Sequence, residues 1–249
     1  MRCVHEAQLH EDNSFITLTY NNDNLPPGGS LDKKAFPLFM KRLRKRLSPR
    51  KIMYFSCGEY GADFGRPHYH ACIFGYDFPD KKLWLIKNNV RLFRSAELES
   101  LWKLGHSSVG DVTFESAAYV ARYIVKKWLG PGAEEHYQNI DYETGEITMM
   151  TPEYTTMSLK PAIGKKWFEQ YTGDVYPSDE VILRGKKLKP PKYYNGLYEL
   201  TNPTEMEEIK KQRVSAMRKQ KANNTPERLQ VRETVKELQA QKLIRPLED

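Results

Sequence analysis

Arg66-Pro67-His68-Tyr69-His70-Ala71-Cys72-Ile73-Phe74-Gly75 is the stretch whose reading decides the fold of this chain. From Tyr69 to Phe74 it is mostly apolar and aromatic, which marks a buried strand, and strand side chains alternate between faces with a period of two. His68 and His70 therefore point the same way. Two imidazoles at that spacing can close on one divalent ion without any bend in the backbone. Taken alone, such a triplet is more often a pair of satisfied core histidines, so the flanking sequence has to decide.

Upstream, Tyr54-Phe55-Ser56-Cys57-Gly58-Glu59-Tyr60-Gly61 reads as a second strand ending in a glycine-bounded turn, and Gly65 and Pro67 close the loop. Strands joined by so short a loop predict an antiparallel hairpin, with Glu59 close to where His68 begins the next strand. A carboxylate beside two imidazoles gives a mixed nitrogen and oxygen ligand set with coordination positions left open. That set suits Mg²⁺ or Mn²⁺ held partly by a substrate phosphate, with zinc as the alternative. Asp63, in the same loop, is a rival ligand, although a carboxylate before Gly65 is more often a solvated turn residue.

About fifty residues later comes Tyr119-Val120-Ala121-Arg122-Tyr123-Ile124-Val125-Lys126-Lys127. Ser116 to Trp128 contains no Gly or Pro and is followed by Gly130-Pro131-Gly132, so it predicts a helix. Ala117, Val120, Ile124 and Trp128 form an apolar stripe at helical spacing, suited to packing on a sheet. Tyr119 and Tyr123, four apart, lie one turn above each other on the neighbouring stripe, and Lys126 and Lys127 extend that side. The plain alternative is a pair of amphipathic aromatics beside a core face.

In this combination and order the motifs resemble those of replication initiators of the HUH endonuclease superfamily, the two-tyrosine type found in microviruses and especially gokushoviruses. Phe15-Ile16-Thr17-Leu18-Thr19-Tyr20 is similar to the family's first motif, a hydrophobic strand with threonines. His68-Tyr69-His70 is similar to its metal motif, with tyrosine where a bulky apolar residue is usual. Tyr119 and Tyr123 resemble the paired nucleophiles, and Tyr123 to Lys126 also fits the Tyr-x-x-Lys form of single-tyrosine relatives. The resemblance spans residues 2–171 and includes Met157-Ser158-Leu159-Lys160-Pro161-Ala162-Ile163-Gly164. Such relatives commonly carry a cysteine-bearing segment before the Arg2 to Ala7 sequence, so a shortened or prophage-derived version is expected.

The resemblance implies a metal-dependent endonuclease. A tyrosine oxygen attacks a phosphodiester of single-stranded origin DNA, leaving a 5′-phosphotyrosyl enzyme and a free 3′-hydroxyl for a host polymerase, with a host helicase as a further partner. The implied metal ligands are His68, His70 and Glu59, binding Mg²⁺ or Mn²⁺. The implied catalytic residues are Tyr119, Tyr123 and Lys126, with Lys127 as a further cation for DNA. Two classes stand against this reading: a single-tyrosine transposase or relaxase, and a noncatalytic nucleic-acid-binding module built on the same kind of sheet.

Charge agrees with a polyanionic partner: the formal net charge of the 249 residues is +7. Between Lys33 and Lys51 there is no acidic residue, and Phe36, Leu38, Phe39, Leu43 and Leu47 are interleaved with Lys41, Arg42, Arg44, Lys45 and Arg46. This predicts an amphipathic helix with a DNA-binding outer face; merely keeping the protein soluble is the alternative. No apolar run approaches the roughly 18 residues of a membrane span, and no signal core follows Met1. Cys3, Cys57 and Cys72 make neither a paired framework nor a zinc spacing, so a reducing bacterial cytoplasm is the expected location. His5, His10, His106 and His136 are expected in surface or loop roles.

The predicted order is a strand at 14–20, a helix at 32–47, paired strands at 52–58 and 68–75, a short helix at 97–104, a strand at 107–114 and then the tyrosine helix. That is an α+β fold, a ferredoxin-like or RRM-like antiparallel sheet (βαββαβ) with an appended helix and the metal strand in its middle. Residues 76–89 read as an insertion. Residues 141–148 read as a small hairpin, and Lys160 to Tyr171 as either a base-stacking or a core-closing aromatic segment. Lys186 to Tyr194 reads as an extended basic arm, and the chain from Glu205 as an exposed helix or partly disordered tail interrupted at 223–226. The domain division expected is 1–175 for catalysis and 176–249 for a basic extension and charged tail.

Overall fold

In a computed structural model, residues 1–61, 65–87, 89–140 and 144–241 are described, without the side chains of Lys87, residues 123–126, Ala240 and Gln241. They fall into two compact units that divide between Gly164 and Lys165. The first contains α1 (Arg2–Ala7), β1 (Asn13–Tyr20), α2 (Ala35–Leu47), β2 (Met53–Tyr60), β3 (Pro67–Phe74), β4 (Lys82–Lys87), β5 (Val90–Arg94), α3 (Ala96–Leu101) and β6 (Gly105–Gly110). It continues with α4 (Phe114–Lys126), α5 (Ala133–His136), β7 (Gln138–Ile140), β8 (Ile147–Met149) and β9 (Tyr154–Met157).

Seven of these strands form one antiparallel sheet in the order β4-β5-β6-β1-β3-β2-β9. Its inner four, β6-β1-β3-β2, arise from β1, α2, β2, β3, α3 and β6 in chain order, which is the expected α+β arrangement. β3 is paired along its length with β1 on one side and β2 on the other, so the histidine strand is central. Every residue from Pro67 to Phe74 is buried, as an apolar strand without internal proline requires in such a position.

Period-two alternation divides the sheet into two cores. Ile16, Leu18, Tyr20, Tyr69, Ala71 and Ile73 face one side, where they meet Phe36, Phe39, Met40 and Leu43 of α2 and Leu98 and Leu101 of α3. Phe15, Cys57, Cys72 and Phe74 face the other side and meet Ala117, Tyr119 and Val120 of α4 together with Ile163. Cys57 and Cys72 fill this second core as free thiols. Tyr69, the unusual middle residue of the histidine triplet, belongs to the α2 side. Its phenol donates to the Asp32 carbonyl at 2.6 Å and contacts the Tyr20 hydroxyl at 2.9 Å, and burial raises its pKa above the ordinary phenol range.

Several expectations are corrected here. The tyrosine helix starts at Phe114, where Thr113 caps Ser116 N–H and Ser116 caps Thr113 N–H. It ends at Lys126, so Trp128 leaves the apolar stripe, is exposed and stacks near His136 at 4.6 Å. Leu38 of α2 is exposed rather than core-facing. The expected insertion forms β4 and β5 and extends the sheet. His5 lies buried in α1 and not in a surface or loop position, and burial lowers its pKa to about 4. The small hairpin exists as β7 and β8, and its residues 141–143 lie outside the described set. Asp63 lies outside it too.

The second unit contains α6 (Lys165–Val175), the hairpin of β10 (Val181–Leu183) and β11 (Lys186–Leu188), α7 (Lys192–Thr201), α8 (Pro203–Lys219) and α9 (Pro226–Gln241). The expected extended arm is therefore a hairpin strand followed by the start of a helix, with Tyr194 fully buried. Phe168 stacks on Tyr194 at 5.0 Å and Tyr176 on Tyr198 at 4.0 Å, so aromatics of α6 and α7 build this unit's core. The charged tail is helical on both sides of a 3-10 turn at Lys221–Asn223. No described helix is long and apolar enough to cross a membrane.

Candidate metal and tyrosine centre

The hairpin of β2 and β3 places Glu59 directly opposite His68. Cross-strand partners project to the same face, and His70 follows two residues on, so all three side chains share the α4 side of the sheet. His68 Nε2 lies 2.8 Å and His70 Nε2 3.0 Å from one oxygen, Oε1 of Glu59. The Tyr119 hydroxyl donates to that same oxygen at 3.1 Å. Glu59, His68, His70 and Tyr119 are all buried. Among the described residues this is the cluster able to hold a metal ion, its ligand atoms lying within 4.8 Å of one another.

The surroundings fix each ring. His68 Nδ1 lies 2.9 Å from the Arg66 carbonyl oxygen, which can only accept, so Nδ1 carries a proton and Nε2 is the atom turned to the carboxylate. A bare Nε2 lone pair facing a carboxylate oxygen at 2.8 Å would be two acceptors in contact, so a positive charge has to sit there: a second ring proton or a bound cation. The donor chemistry thus fits a divalent ion on two imidazoles and one carboxylate. His70 Nδ1 meets Thr17 Oγ1 of β1 at 2.9 Å, its ring stacks on Phe15 at 5.6 Å, and Tyr119 packs edge-on against it at 4.9 Å. Burial alone would raise the Glu59 carboxyl, but hydrogen bonds and charge from His68 and His70 outweigh it and hold the pKa at about 2.

Of the expected site residues, the structure unites Glu59, His68, His70 and Tyr119. Tyr123 and Lys126 lie in the last turns of α4, with side chains outside the described set. Lys127 is exposed just past the helix end. Lys41, Arg42, Arg44, Lys45 and Arg46 are exposed on α2, on the opposite face of the sheet from the cluster. Arg44 lies over the Tyr54 ring at 5.4 Å and Arg46 pairs with Glu97 at 3.2 Å. Thr17 was missed as a partner of His70. Its signal is a hydroxyl at an alternating position in an otherwise apolar strand, whose relevance emerges only once β1 is known to pair with β3.

Residues 13–128 match the family model of the replication-associated protein ORF2. The chain is 35% identical over 212 residues to Replication-associated protein VP4 of Bdellovibrio phage phiMH2K, covering 82% of this chain and 63% of that protein. It is 31% identical to Replication-associated protein ORF4 of Chlamydia phage 1, over 77% of this chain and 47% of that one. With Replication-associated protein ORF2 of Spiroplasma virus 4 it shares 32% identity over 74% of this chain and 57% of that one. The chain thus spans less than two thirds of the length of each. No solved structure matches it. The resemblance to phage replication-associated proteins, read from the motifs, is borne out.

Proposed function

We propose, from the chain's kinship with phage replication-associated proteins, that it is a replication initiator that nicks single-stranded origin DNA and rejoins it through a phosphotyrosine. The observation that carries this reading is the Tyr119 hydroxyl, 3.1 Å from the carboxylate oxygen on which both histidines converge. The Tyr119 oxygen attacks phosphorus and the bond to the 3′ oxygen breaks. The 5′-phosphate stays on the tyrosine, and the phenol's proton is balanced by the one that completes the 3′-hydroxyl. The ester so formed preserves the bond energy for rejoining.

An unperturbed phenol titrates near pH 10 and is a poor nucleophile at neutral pH. A carboxylate with a pKa of about 2 is too weak a base to remove that proton, so Glu59 orients the hydroxyl. When bound by Glu59, His68 and His70, Mg²⁺ or Mn²⁺ would supply Lewis-acid stabilisation of charge on the phosphoryl oxygens. The Arg66 carbonyl and the Thr17 hydroxyl hold the two imidazoles in register for that task. Tyr123, one turn along α4, is assigned the second cleavage, and Lys126 and Lys127 the neutralisation of the phosphate or leaving oxygen. The α2 cations attract the strand at long range. A host polymerase extending the 3′-hydroxyl and a host helicase complete the partners, in the bacterial cytoplasm.

The test is incubation with a single-stranded origin oligonucleotide and Mn²⁺, followed by denaturing electrophoresis and mass spectrometry. A covalent adduct on Tyr119 or Tyr123 is expected. A protein that binds the oligonucleotide and yields no adduct is a binding module, and the nuclease reading fails.

A further inference from the structure

The sheet is covered unevenly on the side that carries the histidines. α4 packs on β2, β3 and β9, and α1 on β3 and α4. Beyond Phe15, the floor toward the other edge is partly open. Thr17 and Thr19 of β1 are half-buried, as is Ser108 of β6, and His106 is exposed. These four share the histidine face, because Thr17 pairs with His70 and Ser108, and Thr19 with His68 and His106. On β5, Phe93 pairs with Val109 and joins the α2-side core, so its neighbours Leu92 and Arg94 project to the histidine face. Lys82 and Leu85 of β4 pair with Arg94 and Leu92 and follow them.

The far end of this floor has an unusual composition. Leu83, Trp84, Leu85 and Ile86 are all exposed, Trp84 at 57%. From Lys81 to Ala96 the sequence holds Lys81, Lys82, Lys87, Arg91 and Arg94 and no acidic residue. The pairing register breaks between Leu83 and Leu85, where Trp84 sits. The Arg94 guanidinium lies over the Trp84 ring, 5.6 Å from its centroid, and Glu99 anchors Arg94 in turn at 2.7 Å. An indole held flat by a cation, within a basic ribbon, has the chemistry of a stacking platform for bases on a polyanionic strand.

We propose that an unpaired nucleic-acid strand crosses this open half of the sheet, from the histidine pair to the hairpin of β4 and β5, and stacks a base on Trp84. The inference rests on the proposed function and adds to it the path of the substrate. β5 is three strands from β3 and β4 is four, so the platform stands roughly 14–19 Å from the histidines. A strand reacting at the cluster can reach it within a few nucleotides, and base stacking there requires no sequence match.

The experiment measures binding of the full chain to a fluorescein-labelled oligothymidine of about 16 nucleotides by anisotropy, with adduct formation followed in parallel. Trp84→Ala is expected to weaken binding roughly tenfold or more and Trp84→Phe to restore most of it. Arg94→Gln is expected to weaken binding less and to flatten its salt dependence. Because Trp84 is exposed on an edge strand, melting temperatures should match the wild type, which verifies that the fold is intact. If Trp84→Ala binds like the wild type and still forms adduct, the stacking platform is wrong and the nicking reading stands. If no variant, nor the wild type, forms adduct while Trp84→Ala still weakens binding, the platform stands and the nicking reading falls. Loss of self-association or of anionic-vesicle binding in Trp84→Ala, with oligonucleotide affinity unchanged, also overturns the proposal.

Discussion

The two faces of the central sheet are built from the same strands yet do different work. On the α2 side, Ile16, Leu18, Tyr69, Ala71 and Ile73 close on Phe36, Phe39, Met40 and Leu43, and the polar groups present, such as the hydroxyls of Tyr20 and Tyr69, are bonded to each other and to the backbone. On the α4 side, alternate residues of those strands supply Glu59, His68, His70 and Thr17 beside Phe15 and Cys72. A dry apolar layer pins the strands from behind, so imidazoles and carboxylate in front keep one geometry. Stability and chemistry are thereby separated by one residue along each strand, and changes on the two faces should have separable consequences.

Tyr119→Phe probes that separation with the largest expected effect. Removing a nucleophile costs roughly 10⁴-fold or more in rate, so adduct formation should vanish while the melting temperature changes little. If adduct persists at the wild-type level, Tyr119 is not the first nucleophile and Tyr123 takes that role. On the other face, Phe39→Ala removes a fully buried ring and should cost about 3–5 kcal/mol in denaturant unfolding, with adduct yield per folded molecule unchanged. A loss of activity beyond the loss of folded protein would show that the two faces are coupled.

Acid sharpens the comparison further. The Glu59 carboxyl titrates at about 2 instead of the ordinary 4.5, so its contribution to stability is complete above about pH 4.5 and is lost as pH falls toward 2. In chelator-treated protein, thermal melting should fall less steeply over that range for Glu59→Gln than for the wild type; parallel curves would contradict the assignment. The smallest effect is expected from reversing Lys41, Arg42 and Lys45 to Glu. Layers in such folds lie about 10 Å apart, and α2 is on the far side of the sheet, beyond a Debye length of about 10 Å at 0.1 M salt. Oligonucleotide affinity should drop a few-fold at low salt and hardly at all at high salt, with the rate of the covalent step unchanged. A large loss at high salt would mean that α2 touches the strand directly.

The centre was legible because its determinants are local. A period of two puts His68 and His70 together, and a short loop bounded by glycine turns Glu59 back beside them, all within twelve residues. Tyr119 was legible as a helix residue, but which face that helix covers is a tertiary outcome, set by Ala117 and Val120 packing against Phe15 and Cys57. Features tied to distant partners left no trace. α1 is held by Arg2 Nε donating to the Ile163 carbonyl and by Glu6 accepting from Gly164 N–H, contacts that span more than 150 residues. The paired strands β4 and β5 read as a mere insertion because apolar residues on both of their faces blur alternation. Lys186 to Tyr194 read as an open arm because its lysines hide a short strand and the buried Tyr194.

The central place of β3 carries a consequence for exchange. Its backbone is bonded to β1 and β2 through the whole span from His68 to Phe74, and opening either neighbour leaves the other ladder intact. Amide protons at His68 and His70 are therefore surrendered to deuterium only when the entire unit unfolds, on the slowest timescale the molecule has. The two imidazoles keep their spacing through every lesser fluctuation, and their deuterium uptake serves as a gauge of global stability.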